Sequence, residues 1–256
     1  MGMDDRAVLE ALHVASDAVA DSLAGLDDWG LAGTRYGQYH SDLAADEVAV
    51  TVLVDAGFAV LSEESGWHEP ERALVAVVDP VDGSTNASRR IPWYATSICV
   101  LDGDGPRVAL VVNQATAVCY EAVRGQGATR NGKRIASSGC RSLKEAIVAF
   151  SGYPHKYLRW HQYRSLGAAA LDLCAVADGS LDGFATAGGS RLRSWDYMGG
   201  MLVCEEAGAL VAGDTASSLT DVHGEQGLAR HQVFAAATSS LLSELYESVI
   251  GSSGAA

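Results

Sequence analysis

Asp79-Pro80-Val81-Asp82-Gly83-Ser84-Thr85-Asn86 places two carboxylates three residues apart, directly ahead of Gly, Ser and Thr. The group closes an apolar run, Leu74-Val75-Ala76-Val77-Val78, which is short, β-branched and uninterrupted. That run predicts a strand buried on both faces. Acids at a strand end can hold hard cations, and free N–H groups of the next turn can hold an anion. Together these are the parts needed to handle a phosphate ester. Taken singly, each acid has a plainer reading. Asp82-Gly83 is an ordinary turn signal, and Asp196 after Trp195 would make a good helix cap. A calcium loop of the EF-hand kind is excluded, because Asp79-x-x-Asp82-Gly83 lacks the alternating acids and the closing Glu.

The plainer readings weaken when the acids are taken together. Glu63 and Glu64 follow a short strand pattern at Phe58-Ala59-Val60-Leu61, Asp79 and Asp82 end the next strand, and Asp196 begins a helix. Such positions are where α/β folds gather ligand sites. Several carboxylates packed at one point are costly unless cations neutralise them. No His or Cys falls within these motifs, so the donor set is all oxygen and selects Mg²⁺, with Mn²⁺ as a substitute, over Zn²⁺. The net charge of −14 sharpens the point, since so acidic a chain binds a phosphorylated metabolite only where cations reverse the field. The same charge argues against nucleic acid as a partner.

The elements that must position these acids follow from periodicity. Val8, Leu12, Ala15, Val19, Leu23 and Leu26 mark one face of a helix, with Asp4 or Asp5 as its cap and Gly25 its end. A second helix is expected over 42–55 and a strand over 58–61. Strands at 96–101, 108–112 and 118–123, with turns at Asp102-Gly103-Asp104-Gly105 and Asn131-Gly132, predict an antiparallel middle portion. Beyond it the texture alternates: strand 146–150, helix 165–177, strand 183–187 and helix 196–207 with Gly208 past its end. Strands 209–212 and 233–237 and helix 239–249 follow, and 251–256 reads as a flexible tail. The chain divides into an α+β half (1–144) carrying most of the acids and an α/β half (145–256) carrying Asp196, which can also count as one domain. No run is apolar enough to span a membrane. The acidic start is unlike a secretory signal, and Arg6 occupies the position where a myristoylation motif wants Ser or Thr. Five scattered cysteines without a C-x-x-C pair fit reduced thiols in a cytoplasmic protein.

Ser62-Glu63-Glu64-Ser65, the octapeptide at 79–86, and Trp195-Asp196 with Glu206-Ala207-Gly208 resemble, in order and spacing, the three signatures of the inositol monophosphatase family. The likeness extends through Arg90-Ile91-Pro92, Asn131-Gly132 and Gly167-Ala168-Ala169, and so covers essentially the whole chain. It implies a layered α-β-α-β-α sandwich and a lithium-sensitive, Mg²⁺-dependent phosphatase with two or three ions per site, usually a homodimer. It implies that Glu63, Asp79 and the Val81 carbonyl hold one ion, and that Asp79, Asp82 and Asp196 hold another. Glu63 and the Ser84 hydroxyl are then expected to polarise the attacking water, with Asp46 supporting Ser84. The N–H groups of Gly83 and Ser84 are expected to hold the phosphate, and Asp82, Gly167, Ala168, Ala169 and Asp196 to meet the substrate. The implied reaction is direct hydrolysis of a small polyol or sugar-type monophosphate, without a phosphoenzyme. Histidinol phosphate, fructose 1,6-bisphosphate and 3′-phosphoadenosine 5′-phosphate are rival substrates. A regulatory protein that binds the transcription machinery is a rival role.

Three departures bear on these expectations. Ser84 stands where the family usually has Thr, which keeps the hydroxyl. Tyr39-His40-Ser41-Asp42-Leu43-Ala44-Ala45 replaces the family's usual run before Asp46. Gly189 stands where inositol-binding members carry a sugar-contacting Glu. Arg191 and Arg193 either meet a second anionic group or pair with the chain's surplus acids. His40, His155 and His161 are isolated and expected to be structural or exposed.

Overall fold

Spacing of three and four buries Val8, Leu12, Ala15, Val19 and Leu23 on one face of α1 (Asp5–Ala24). The Asp4 carboxylate accepts from the Ala7 N–H at 2.8 Å and opens that helix. Helix α2 (His40–Asp55) begins two residues earlier than expected, because the Asp42 carboxylate reaches back to accept from the Tyr39 N–H at 2.8 Å. These features come from a computed structural model, which describes residues 3–214, 219–222 and 229–253.

The two helices cover one face of an eight-stranded sheet. Its strands are β1 (Ala59–Ser62), β2 (Gly66–His68), β3 (Val75–Asp82), β4 (Ala95–Asp102), β5 (Gly105–Asn113), β6 (Val118–Val123), β7 (Gly127–Arg130) and β8 (Lys133–Arg134). They lie in the order β2-β1-β3-β4-β5-β6-β7-β8, with only β1 and β3 parallel. Val75 to Val78 are buried on both faces, as their unbroken apolar run requires. A five-residue helix, α3 (Ser84–Ser88), follows β3 at once.

The second sheet comprises β9 (Ile147–Ser151), β10 (Gln162–Arg164), β11 (Gly183–Thr186), β12 (Leu210–Gly213) and β13 (Val233–Ala236), ordered β10-β9-β11-β13-β12. Between the sheets lie α4 (Ala169–Ala177) and α5 (Ser194–Glu206). One apolar cluster joins Leu61, Val77 and Val111 of the first sheet to Leu173 and Met198 of these helices and Phe184 of the second sheet. Helix α6 (Ser239–Ser253) covers the outer face of the second sheet through Leu241, Leu245 and Val249. The layers therefore run α-β-α-β-α, as the resemblance implies.

Two expectations need correction. The helix expected from Ser165 starts at Ala169, because Gln162–Arg164 pair as an edge strand and Gly167 adopts φ +88. The supposed tail begins as the last turn of α6, which reaches Ser253, while 254–256 lie outside the described residues. Among the described residues no helix is long and apolar enough to cross a membrane.

The decisive local feature is a bulge at the end of β3. Asp79 pairs with Ser97 and Asp82 with Ala95, so β3 spends one more residue than β4 over that interval. In a regular strand residues three apart point to opposite faces; the bulge brings both acids to one. Pro80 at the bulge has no N–H to contribute to the ladder, and its carbonyl accepts from the buried Thr96 hydroxyl at 2.9 Å. Thr96 also accepts from the Gln114 carboxamide at 2.8 Å. Thr96→Val is expected to lower stability by about 1–3 kcal/mol by removing the hydroxyl that bonds the Pro80 carbonyl and accepts from Gln114. Urea unfolding with an unchanged slope and a lower midpoint would show this.

Candidate active site

Each acid is delivered by a different device. Glu63 leaves β1 beside its parallel neighbour β3, and its N–H donates to the Val78 carbonyl at 3.1 Å, which sets it next to Asp79. Asp79 is fully buried and its Oδ1 accepts from the Val81 N–H at 3.0 Å. Asp82 is held from the other half of the chain, where the Ala170 N–H in the first turn of α4 donates to its Oδ2 at 2.7 Å. Asp196 lies in the first turn of α5, and its Oδ2 accepts from the Arg193 N–H at 2.7 Å. It thus caps its helix from inside the first turn, not from the flanking position. Carboxylate oxygens of Glu63, Asp79 and Asp196 lie within 4.8 Å of one another.

Ion pairing does not offset this crowding. No ion pair among the described residues involves any of the four. Burial, with Asp196 and Glu64 adding repulsion, pushes Glu63 from 4.5 up to about 8. Burial and then Glu63 hold Asp79 well above the carboxylate range, and burial and then Asp196 do the same for Asp82. Burial raises Asp196 to about 6, against the pull of Arg230 and Arg193. Four crowded acids, Asp79 and Asp82 buried and Glu63 and Asp196 half-buried, with only oxygen donors, fit hard divalent cations.

The turn after Asp82 is set by close approach. Gly83 has φ +90, and a Cβ there would lie 3.1 Å from the Ala168 Cβ and from the carbonyls of Gly167 and Trp93. Both backbone and space therefore require glycine. The Asn86 carboxamide donates to the Trp93 and Leu166 carbonyls, each at 2.7 Å, and so clamps the 166–169 segment against α3. The Trp93 indole in turn donates to Asp172 Oδ1 at 2.9 Å.

The acids form a wall between two cavities. A cleft of about 600 Å³ is lined by Glu63, Glu64, Val81, Ser84, Arg193 and Arg230, among others. A smaller cavity of about 200 Å³ is lined by Asp82, Gly167, Ala168, Ala169, Asp172 and Asp196. Of the expected site residues, Glu63, Val81 and Ser84 line the first cavity, Asp82, Gly167, Ala168, Ala169 and Asp196 line the second, and Asp79, Gly83 and Asp46 line neither.

Asp46 makes a different bond from the expected one. Its Oδ1 accepts from the Ser62 hydroxyl, and Ser62 Oγ accepts from the Glu64 N–H at 3.3 Å. It therefore steadies the segment bearing Glu63, and no bond from it to Ser84 exists among the described residues. Arg191 pairs with Asp214 at 2.9 Å, whereas the Arg193 guanidinium stacks over Trp195 at 5.3 Å and lines the cleft. Gly189 lines neither cavity and has φ +83, a conformation that a Glu would adopt only with strain. Sequence reading missed Arg35, Gln38, Asp42 and Arg230. Arg35 and Gln38 bind the Glu64 carboxylate from a loop with no motif of its own, and Asp42 looks like an ordinary helix-start acid.

A layered α-β-α-β-α sandwich with this acid wall between its halves is the architecture of a class of phosphoric monoester hydrolases, and the protein is such a phosphatase. The chain belongs to the inositol monophosphatase family, whose model matches residues 41–253. It is 34% identical over 183 residues to the fructose-1,6-bisphosphatase of Pyrococcus furiosus, covering 71% of each chain. It is 35% identical over 189 residues to the Nus factor SuhB of Escherichia coli K12, covering 65% of this chain and 69% of that one. Among solved structures, the suhB extragenic suppressor protein of Bartonella henselae superposes with a TM-score of 0.79 at 27% identity, over 95% of this chain and 98% of that one.

The raised acids predict a pH dependence. A folded state that holds protons the unfolded chain releases loses stability as pH rises. In chelator, the melting temperature should fall between the ordinary Glu value of 4.5 and about 8, and Mg²⁺ should restore it most at the upper end. A chelated protein that melts equally at both ends would contradict the assignment of protons to this wall.

Proposed function

We propose that the protein is a Mg²⁺-dependent phosphomonoesterase acting on a small polyol or sugar-type monophosphate by direct attack of water. The observation that carries this reading is the oxygen-only cluster of Glu63, Asp79 and Asp196, with Asp82 against it and the Gly83 turn beside it. Glu63, Asp79 and the Val81 carbonyl would hold one ion, and Asp79, Asp82 and Asp196 another. Cations so held supply the charge neutralisation and water activation that acids alone cannot. Glu63 and the Ser84 hydroxyl orient the water, and both line the larger cleft. The N–H groups of Gly83 and Ser84 hold phosphate oxygens. Asp82 and Asp196, with Gly167, Ala168 and Ala169, meet the substrate from the smaller cavity. Ser62 and Asp46 act on Glu63 through position only. We also read the protein as cytoplasmic and homodimeric. The five cysteines, all free thiols, support the first; light scattering of the purified protein tests the second.

A second substrate reading is favoured by the arginines of the larger cleft. Arg193 and Arg230 offer an anion-binding rim, which suits a substrate with a second phosphate such as fructose 1,6-bisphosphate.

Asp79→Asn is expected to reduce phosphate release by at least about 10³-fold while the fold survives, since it removes a carboxylate shared by both ion positions. Full turnover in that variant with bound Mg²⁺ would sink the proposal. Across a panel of monophosphates and bisphosphates, Arg193→Ala should raise KM for bisphosphates alone if the second reading holds.

A further inference from the structure

His13, Cys119 and Glu121 come together on the other face of the eight-stranded sheet from the acid wall. Along β6, Tyr120 and Ala122 join the core between the sheets, so Cys119 and Glu121 face the layer of α1 and α2. His13 comes down onto them from α1. Its Nε2 lies 2.6 Å from Glu121 Oε1, and one ligand atom from each of the three residues lies within 4.8 Å of the others.

We propose that His13, Cys119 and Glu121 form a second metal site, for a borderline-soft divalent ion of the zinc class. A nitrogen, a sulfur and a carboxylate oxygen make a donor set that selects Zn²⁺ or Co²⁺ over Mg²⁺. The ligands are already oriented by their neighbours. Glu121 Oε2 accepts from the Thr129 hydroxyl at 3.1 Å, from the directly paired residue of β7. The Cys119 N–H donates to Asn131 Oδ1 and its carbonyl accepts from the Asn131 N–H, both at 2.8 Å, so the thiol-bearing residue is pinned on both sides. Such outer partners are what keeps metal ligands in place. A half-exposed His–Glu pair would contribute little by itself and gives no role to the sulfur beside it.

Burial, and then the charges of Glu121 and Asp17, push the Cys119 thiol up to about 12, so it is neither a ready nucleophile nor a redox sensor. Binding of the ion exchanges the S–H bond for an S–metal bond and releases one proton to solvent; nothing is oxidised. Water would fill the fourth position. The site would tie the N-terminal helix to the sheet and is independent of phosphate chemistry.

The test is Co²⁺ titration of the metal-stripped, full-length protein followed by absorption. The acid wall has no sulfur, so a thiolate-to-cobalt charge-transfer band reports this site alone. The expected result is a band that saturates at one equivalent, is displaced by Zn²⁺, and persists in Asp79→Asn and in Cys140→Ser. It should vanish in Cys119→Ser, with circular dichroism showing that variant folded, and Glu121→Gln should weaken Co²⁺ binding at least about tenfold. No band in the wild type, or a band that survives Cys119→Ser, overturns the proposal. Loss of the band only in Cys140→Ser overturns it equally.

Discussion

Four carboxylates crowded together at one place are the constraint on which this molecule is built. Glu63, Asp79, Asp82 and Asp196 repel one another, lie beside no compensating ion pair, and hold protons well above the usual carboxylate range. Nothing in the stability of a domain this size makes such an arrangement free. It persists because the surrounding structure over-determines it. The bulge at Pro80, the parallel β1–β3 pair and the first turns of α4 and α5 each fix one acid by a backbone hydrogen bond. The Asp79, Asp82 and Asp196 carboxylates are anchored by main-chain N–H groups and cannot swing apart to relieve repulsion, which is the arrangement that bound cations would relieve.

The same constraint explains the glycine and asparagine next to the wall. Gly83 lets the 166–169 segment approach to contact distance, and Asn86 holds that segment there with two carbonyl bonds. The Ala170 N–H then arrives at Asp82. Geometry at one acid is thus specified by residues on both sides of a long sequence gap.

Much of this was legible in the chain. Strand β3, the helix face of α1 and the β–α alternation follow from periodicity alone, and the layered fold follows from the three motifs read together. Boundaries near Ser165 were not legible, because apolar content there suits either helix or loop and only Gly167's φ decides. The partner of Asp46 was hidden for a similar reason. Ser62 and Ser84 offer the same hydroxyl, and which one Asp46 meets depends on how α2 packs on β1. Arg230 and Gln38 reach the cleft from segments without local pattern, so only the folded chain reveals them.

The wall draws Glu63 and Asp79 from the first sheet and Asp196 from a helix that packs only when the second half is in place. Closing so long a stretch of chain is entropically slow compared with forming the β3–β4 and β4–β5 hairpins. A nascent or partly folded chain therefore holds only part of the acid cluster. On the proposed reading, tight cation binding would be a property of the finished molecule alone, so ion uptake would mark complete assembly and pull the last step of folding forward.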